Sequence, residues 1–483
     1  MKLRCRFVVV LVFTSLVAAA ADLPYDTNAL FRSHVPHVFS QGTIGPSVRA
    51  VRPRGISHLA AIDRSTSYSV GSVVTVTSSQ PEAEEHVAVS PLNSANLIAA
   101  ISDFSLRGGS NTSKYAFSTN NGANWTESFV PLSGGSPATG DGIVWPYNSD
   151  PVVAMDLAGN MYLADLYFHS ETGNSSNGLY VAVAPFGTPF TQAQVYPVAV
   201  NTNPATTTDE DKEWLAVDCG ANSSYAGNVY VSWSRFLGNS DLIVFSRSVD
   251  QGKTWSAPLR ISPSAQDGAV QGSAVATGPN GEVYVVYEVF YIGGNRQHLM
   301  ARSNDGGQTF TTPAAITPTF SELSFNSTYR KNSFASLSVS PSGYICVLYA
   351  DQRGRLGAQV EFVRSTTPGG SAFTAPVAIN DVSTGQQFMP AVTVDGSGAI
   401  HASWFDTRNS PKSTSIYDIY ATRSTDNGAT FAANSRLTPS SINAGNSSFI
   451  GDYAGIGAGG GFAHPVWTNG GVNGGRLQTA TLR

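Results

Sequence analysis

One eight-residue pattern, Ser-x-Asp-x-Gly-x-x-Trp/Phe, recurs along the chain and constrains its fold more than any other feature. It stands at Ser248–Trp255, Ser303–Phe310 and Ser424–Phe431. A fourth copy, Ser118–Trp125, carries Asn120 in the Asp position, and a degenerate fifth runs from Ser365 to Phe373 with Thr367 there. The residue types suit a hairpin turn. Asp or Asn bonds backbone just ahead of it, Gly supplies a positive φ, and the aromatic plugs the base of the turn. Each copy follows a strand-like alternation, as in Ile243–Arg247.

Between these hairpins lies a second unit: an apolar strand, a Gly/Asn/Ser turn, and another apolar strand ending in an aromatic or an acid. The units are His86–Asp103, Asp150–Tyr167, Glu213–Arg235, Gln271–Glu288, Ser333–Asp351, Phe388–Asp406 and Phe449–Trp467, starting about every sixty residues. That spacing holds four short strands and their loops. The expected fold is all-β, a β-propeller of four-stranded antiparallel blades, seven by this count and six as the alternative. The last unit offers only three strands, ending with Arg476–Leu482, and Tyr68–Val76 is the expected fourth, an N-terminal strand closing the last blade. Composition agrees. Charged residues are only 13% of the chain, with 47 Gly and 10% aromatics, a mix suited to strands and tight turns.

Three basic residues, Lys2, Arg4 and Arg6, precede the apolar run Phe7–Val17 and the small residues Ala18–Ala21. This reads as a secretory signal peptide, so the expected division is 1–21 signal peptide, 22–66 irregular N-terminal arm and 67–483 propeller. The protein is expected to be secreted, extracellular or periplasmic, with no later segment apolar enough to span a membrane. Net charge is −5 without a basic stripe, which excludes a nucleic-acid backbone as partner. Beyond the leader, Cys219 and Cys346 fall in non-adjacent blades and are expected to be free thiols. Six N-x-S/T sequons begin at Asn111, Asn124, Asn174, Asn222, Asn326 and Asn446 and mark exposed turns.

The repeated turns, with strand pairs such as Asp211–Asp218, make the chain resemble the sialidase superfamily of BNR/Asp-box propellers from about residue 85 onward. The resemblance implies a propeller fold whose active site opens over the central channel. It fits hydrolases, lyases and binding proteins alike. Sialidases carry six blades, an Arg-Ile-Pro motif, three arginines gripping a carboxylate, an Asp acid/base and a Tyr nucleophile paired with Glu. This sequence contains no Arg-Ile-Pro, so that catalytic set does not transfer as a whole.

In such a propeller the channel mouth is lined by the starts of the first strands and the ends of the second. Glu85 and His86, Asp150, Asp211 to Glu213, Arg330 with Lys331, and Asp452 with Tyr453 stand at first-strand starts. At second-strand ends stand Asp103, Asp165, Arg235, Glu288, Asp351 with Arg353, and Asp406 with Arg408. Trp214, Trp233, Tyr291, Trp404 and Trp467 supply aromatic faces for sugar rings. The catalytic candidates are Glu213, Asp406, Asp150 and Glu288 as acid, base or nucleophile, and Tyr453 as a nucleophile beside Asp452. Substrate-binding candidates are Arg235, Arg330, Arg353 and Arg408 for a carboxylate, with His86, Trp214 and Trp404. Asp351/Arg353 and Asp406/Arg408 also fit a purely structural role, bridging blades.

The leading expectation is a sialidase-like glycoside hydrolase acting on an acidic or terminal sugar, monomeric, with a carbohydrate or glycoconjugate as partner. The alternatives are a non-catalytic propeller binding glycans or proteins, and a uronate polysaccharide lyase using His86 or a Tyr as base. No metal-ligand spacing appears and no cofactor is implied; a structural cation on the central axis stays open.

Overall fold

The computed structural model describes residues 58–78, 81–105, 113–132, 145–169, 177–201, 208–238, 240–291, 294–352, 357–413, 415–445, 447, 449–471 and 475–483. The proposed leader, most of the arm, Arg353 and the sequons at Asn111, Asn174 and Asn446 lie outside them.

Seven antiparallel blades stand in a ring. Their innermost strands, in chain order, are Glu82–Val89, Tyr147–Met155, Thr208–Val217, Val270–Thr277, Ser336–Val339, Gln387–Val394 and Gly455–Gly459. Each packs beside the next, and the last returns to the first, so the ring closes. Second strands such as Leu97–Asp103 and Ile400–Asp406 are buried at every position, because a neighbouring blade covers each face. Their near-continuous apolar runs follow from that two-sided burial. Blade 7 is completed by Val70–Thr75, which pairs antiparallel with the final strand Leu477–Leu482. The inner strand of blade 7 thus meets blade 1 without a gap in the ring.

The Ser-x-Asp/Asn-x-Gly turns share one set of hydrogen bonds. In the turn at Ser248, Ser248 Oγ donates to Asp250 (2.8 Å) and accepts from Gly252 N–H (2.8 Å), while Asp250 accepts from Thr254 N–H (2.8 Å). The turns at Ser118, Ser303 and Ser424 repeat the serine and carboxylate or amide contacts. Gly428 shows why glycine is required there. Its φ is 79°, and an added Cβ would lie 2.5 Å from the Phe362 ring of the preceding blade.

The described end of the arm is more regular than its sequence suggests. His58–Leu59 pairs in parallel with Val377–Ala378, the outer strand of blade 5, and Ala61–Asp63 pairs in parallel with Thr430–Ala432 in blade 6. An outer edge offers unpaired N–H and C=O groups to any passing extended segment, whatever its polarity pattern. The chain then reaches blade 7 through Tyr68. Buried Tyr68 Oη lies 2.5 Å from His401 Nδ1, and His401 Nε2 lies 3.2 Å from Asp395 Oδ2. The Asp395 carboxylate accepts from Nε2–H, so Nδ1 accepts from the phenol. Tyr68→Phe leaves that nitrogen without its partner in the core. It is expected to lower unfolding free energy by about 1–2 kcal/mol in urea titration without changing any activity at the channel mouth.

Candidate functional site at the mouth of the central channel

The inner strands are interrupted at corresponding positions. In blades 1, 2, 3, 4 and 6 the pairing with the second strand slips, between Ala83 and His86, Ser149 and Val152, Asp211 and Trp214, Gln271 and Ala274, and Phe388 and Ala391. The first residue of each bulge is left-handed: Glu84 (φ 67°), Asp150 (65°), Lys212 (58°), Gly272 (64°) and Met389 (47°). A bulge re-aims side chains that alternation would send elsewhere. Non-glycine residues in this region cost of order 1 kcal/mol each and concentrate at working sites. Blades 1, 2 and 3 spend the position on charged residues, whereas blades 4 and 6 carry Gly and Met.

The result is a polar cluster on the axis. The carboxyl groups of Glu84 and Asp150 are hydrogen-bonded to each other. Ser149 Oγ also donates to Asp150, and the Asp150 N–H donates to Ser102 Oγ at 2.9 Å. Blade 7 adds Asp452, which pairs with Arg330 at 2.8 Å, and Asn332 donates to its carbonyl at 2.8 Å. Lys212 Nζ makes no hydrogen bond and sits 3.7 Å from the centroid of the Tyr453 ring. Trp214 meets Tyr453 and His86 edge to face, at 5.7 and 5.0 Å. Beneath the cluster, a cavity of about 30 Å³ is lined by Lys212, Trp214, Phe334, Met389, Asp452 and Tyr453 among others, which is room for about two waters.

Crowding of like charges in a dry place raises the proton affinity of these acids. Burial, then the charge and hydrogen bond of Asp150, push Glu84 well above the usual carboxylate range. Burial does the same to Glu213, reinforced by Asp150, Asp165 and Asp211; Glu213 is 1% exposed and neither of its carboxyl oxygens has a hydrogen-bond partner. Asp211 is pushed up to about 7 by burial and by Asp150 and Asp452, against the pull of Lys212 and Arg330. The Tyr453 phenol is raised by burial and by Glu84 and Asp150, and its Oη lies 3.4 Å from the Pro151 carbonyl oxygen. Burial lowers His86 to about 4, and its Nδ1 accepts from Val153 N–H at 3.3 Å, so the ring is neutral. Among the described residues, no three His, Cys, Asp or Glu side chains converge as ligands to a metal would.

Of the candidates read from the sequence, Asp150, Glu213, Tyr453, Arg330, Trp214 and His86 therefore come together. The others do not. Asp406 accepts from the Trp404 indole (2.9 Å) and from Arg408 Nε (2.9 Å), and Arg408 also binds Asp381 (2.6 Å). Glu210 holds the Trp233 indole and both Nε and Nη2 of Arg235. Glu288 meets His298 Nε2 (3.2 Å) and Ser333 Oγ (2.8 Å). Second-strand ends stand one strand out from the axis, where Asp406 meets Arg408 and Glu288 meets His298 of its own blade before either meets a ligand. Trp233, Trp404 and Trp467 are fully buried and offer no face to a sugar. Glu84 went unnoticed in the sequence beside the more prominent Glu85. Glu85 faces the seam instead and accepts from Thr468 Oγ1 at 2.6 Å.

No family model matches the sequence, and no curated protein matches it. Solved structures do match. A protein of unknown function from Dyadobacter fermentans aligns over 86% of this chain and 98% of its own, at 15% identity and a TM-score of 0.46. An intramolecular trans-sialidase from Ruminococcus gnavus aligns over 84% and 95%, at 13% identity and a TM-score of 0.42. The chain is a seven-bladed β-propeller in fold. An ulvan lyase solved with a glucuronate–sulfated rhamnose unit also matches, over 88% and 95% at 13% identity and a TM-score of 0.43. These likenesses concern architecture. Among the described residues of this propeller, no helix is long and apolar enough to cross a membrane.

Proposed function

We propose that this propeller is a carbohydrate-active enzyme, a glycoside hydrolase working at the axial mouth. The observation that carries the reading is the hydrogen-bonded carboxyl pair Glu84–Asp150 beside the perturbed Asp211. Such a pair keeps one proton near neutral pH and can give it to a leaving glycosidic oxygen. Asp211, ionised above pH 7, can take a proton from the attacking water. In that step the water oxygen bonds the anomeric carbon, the glycosidic C–O bond breaks, and the two protons move to the leaving oxygen and to Asp211. Trp214 and Tyr453 form the apolar floor, and Lys212 and Arg330 balance part of the negative charge. Tyr453 is buried with its pKa raised, which favours a positioning role over attack as a phenolate. On this reading the 1–21 segment is a leader and the enzyme is secreted.

Turnover on a panel of defined oligosaccharides, with reducing ends counted and ultraviolet absorbance followed, tests the reading. New reducing ends without an unsaturated chromophore are the expected result. Appearance of the chromophore would move the assignment to a lyase, and binding without any product to a lectin-like role.

A further inference from the structure

The cavity under the axial cluster is lined by two polar groups that bond nothing among the described residues. Lys212 Nζ is shielded from solvent without a hydrogen-bond partner, and so is Oγ of Ser273, a residue 3% exposed in the bulge of blade 4. The rings of Tyr453 and Phe334, with centroids 3.7 and 5.8 Å from Nζ, offset the ammonium's charge but leave its N–H donors unused. Buried groups of this kind normally find partners. The same cavity is lined by Asp452, whose carboxylate is fixed by Arg330 at 2.8 Å and by Asn332 Nδ2 at 3.4 Å. Those two contacts leave it acceptor sites to spare. Both Asp452 and Arg330 are part-exposed, so the cavity is open to solvent at that rim. Trp214, Phe334 and Met389 give it apolar walls. Its volume of about 30 Å³ suits two non-hydrogen atoms, not a sugar ring.

We propose that this cavity is the specificity pocket of the mouth and takes the exocyclic hydroxymethyl group of a neutral hexopyranose. The inference rests on the hydrolase reading and names its substrate class. One carbon and one oxygen take the room of two waters. The oxygen accepts from Lys212 Nζ, its hydroxyl donates to Asp452, and Ser273 Oγ adds a further bond, so both unpartnered groups are satisfied at once. The methylene lies against Phe334 and Met389. Other substituents on the same ring carbon fit worse. A bare hydrogen, as in a pentopyranose, leaves Lys212 and Ser273 as they are. A carboxylate meets Lys212, but it sets a second anion beside Asp452 and has one non-hydrogen atom too many for the space.

The probes are two matched pairs of 4-nitrophenyl glycosides and one acid. The β-D-glucoside is paired with the β-D-xyloside, and the β-D-galactoside with the α-L-arabinopyranoside, so that each pair differs only in the hydroxymethyl group; the acid is the β-D-glucuronide. Affinity is measured by calorimetry at pH 7, with release of 4-nitrophenol followed in parallel. In at least one pair the hexoside is expected to bind about tenfold or more tightly than the pentoside, and the glucuronide no more tightly than the glucoside. Lys212→Met installs the side chain that blade 6 carries at its own left-handed bulge position, Met389. It should bring the hexoside down to the affinity of the pentoside and leave the pentoside almost unchanged, whereas a merely structural loss would weaken both alike. Ser273→Ala should narrow the preference too, and decides the matter if Lys212→Met fails to fold, as judged by circular dichroism and melting temperature. Equal affinity within both pairs, tighter binding of the glucuronide, or a preference that survives in the folded variants overturns the proposal. Equal affinity with nitrophenol released removes this inference and leaves the hydrolase reading standing. A Lys212-dependent preference with no cleavage of these glycosides or of oligosaccharides does the reverse, and no binding of any probe rejects the pocket.

Discussion

Asp211→Asn is expected to lower turnover on the best oligosaccharide substrate by about 10²–10⁴-fold, the usual range for loss of a general base, with no loss of stability. The pH profile makes the prediction specific. With Asp211 pushed up to about 7, wild-type activity should climb as pH rises through 7, because only the carboxylate can accept a proton. The Asn variant should lose that limb of the profile. Stability runs the other way. The folded group holds its proton above its ordinary value near 4 while the unfolded chain releases it. Its contribution is therefore fully present below about pH 4 and is lost as pH rises to 7. Removing the carboxyl should leave the melting temperature at pH 8 unchanged or higher. A variant that retains activity within a few-fold, or keeps the inflection, would falsify the assignment.

Asp406→Ala should act on the fold instead. The Arg408 guanidinium is 9% exposed and bonds Asp406 at 2.7 Å, and the Trp404 indole N–H has the same carboxylate as its acceptor. Deleting one partner leaves a nearly buried charge and an orphaned donor, a loss of about 3–5 kcal/mol. Asp381 retains a contact to Arg408 at 2.6 Å, which places the expectation toward the lower end. Urea unfolding measures it. Activity of the folded fraction should be close to normal. A stable but inactive variant would return Asp406 to the catalytic set.

The contrast between these two aspartates shows where the sequence was legible. Blade number came from seven strand–turn–strand units, and the Ser-x-Asp turns between them declare themselves locally: Ser248, Asp250, Gly252 and Trp255 each have a job within one hairpin. The first-strand acids Asp150, Asp211 and Asp452 were legible for a similar reason, since a charged residue entering an apolar strand marks the strand's polar end. Distance from the axis was not legible. Asp150 and Asp406 occupy similar contexts in the chain, one at a strand entry and the other at a strand exit. Only the fan of the blade separates a residue on the channel from one locked to Trp404. Glu84 stayed hidden because its direction depends on a bulge. In a regular strand it would share a face with His86, and the slip between Ala83 and His86 overrides that alternation. The short strands His58–Leu59 and Ala61–Asp63 were hidden too, because parallel addition to an outer edge needs backbone groups and little from the side chains.

The seam between blades 7 and 1 has a consequence for biosynthesis. Glu84 belongs to the first blade made and Tyr453 to the last, and the seam itself is tied by Thr468 to Glu85, 383 residues apart. Contacts of such separation are slow to form, because the loop entropy is lost before they return anything. A nascent or partly folded chain therefore carries its acids without their floor, and whatever chemistry the mouth performs begins only when the circle is complete.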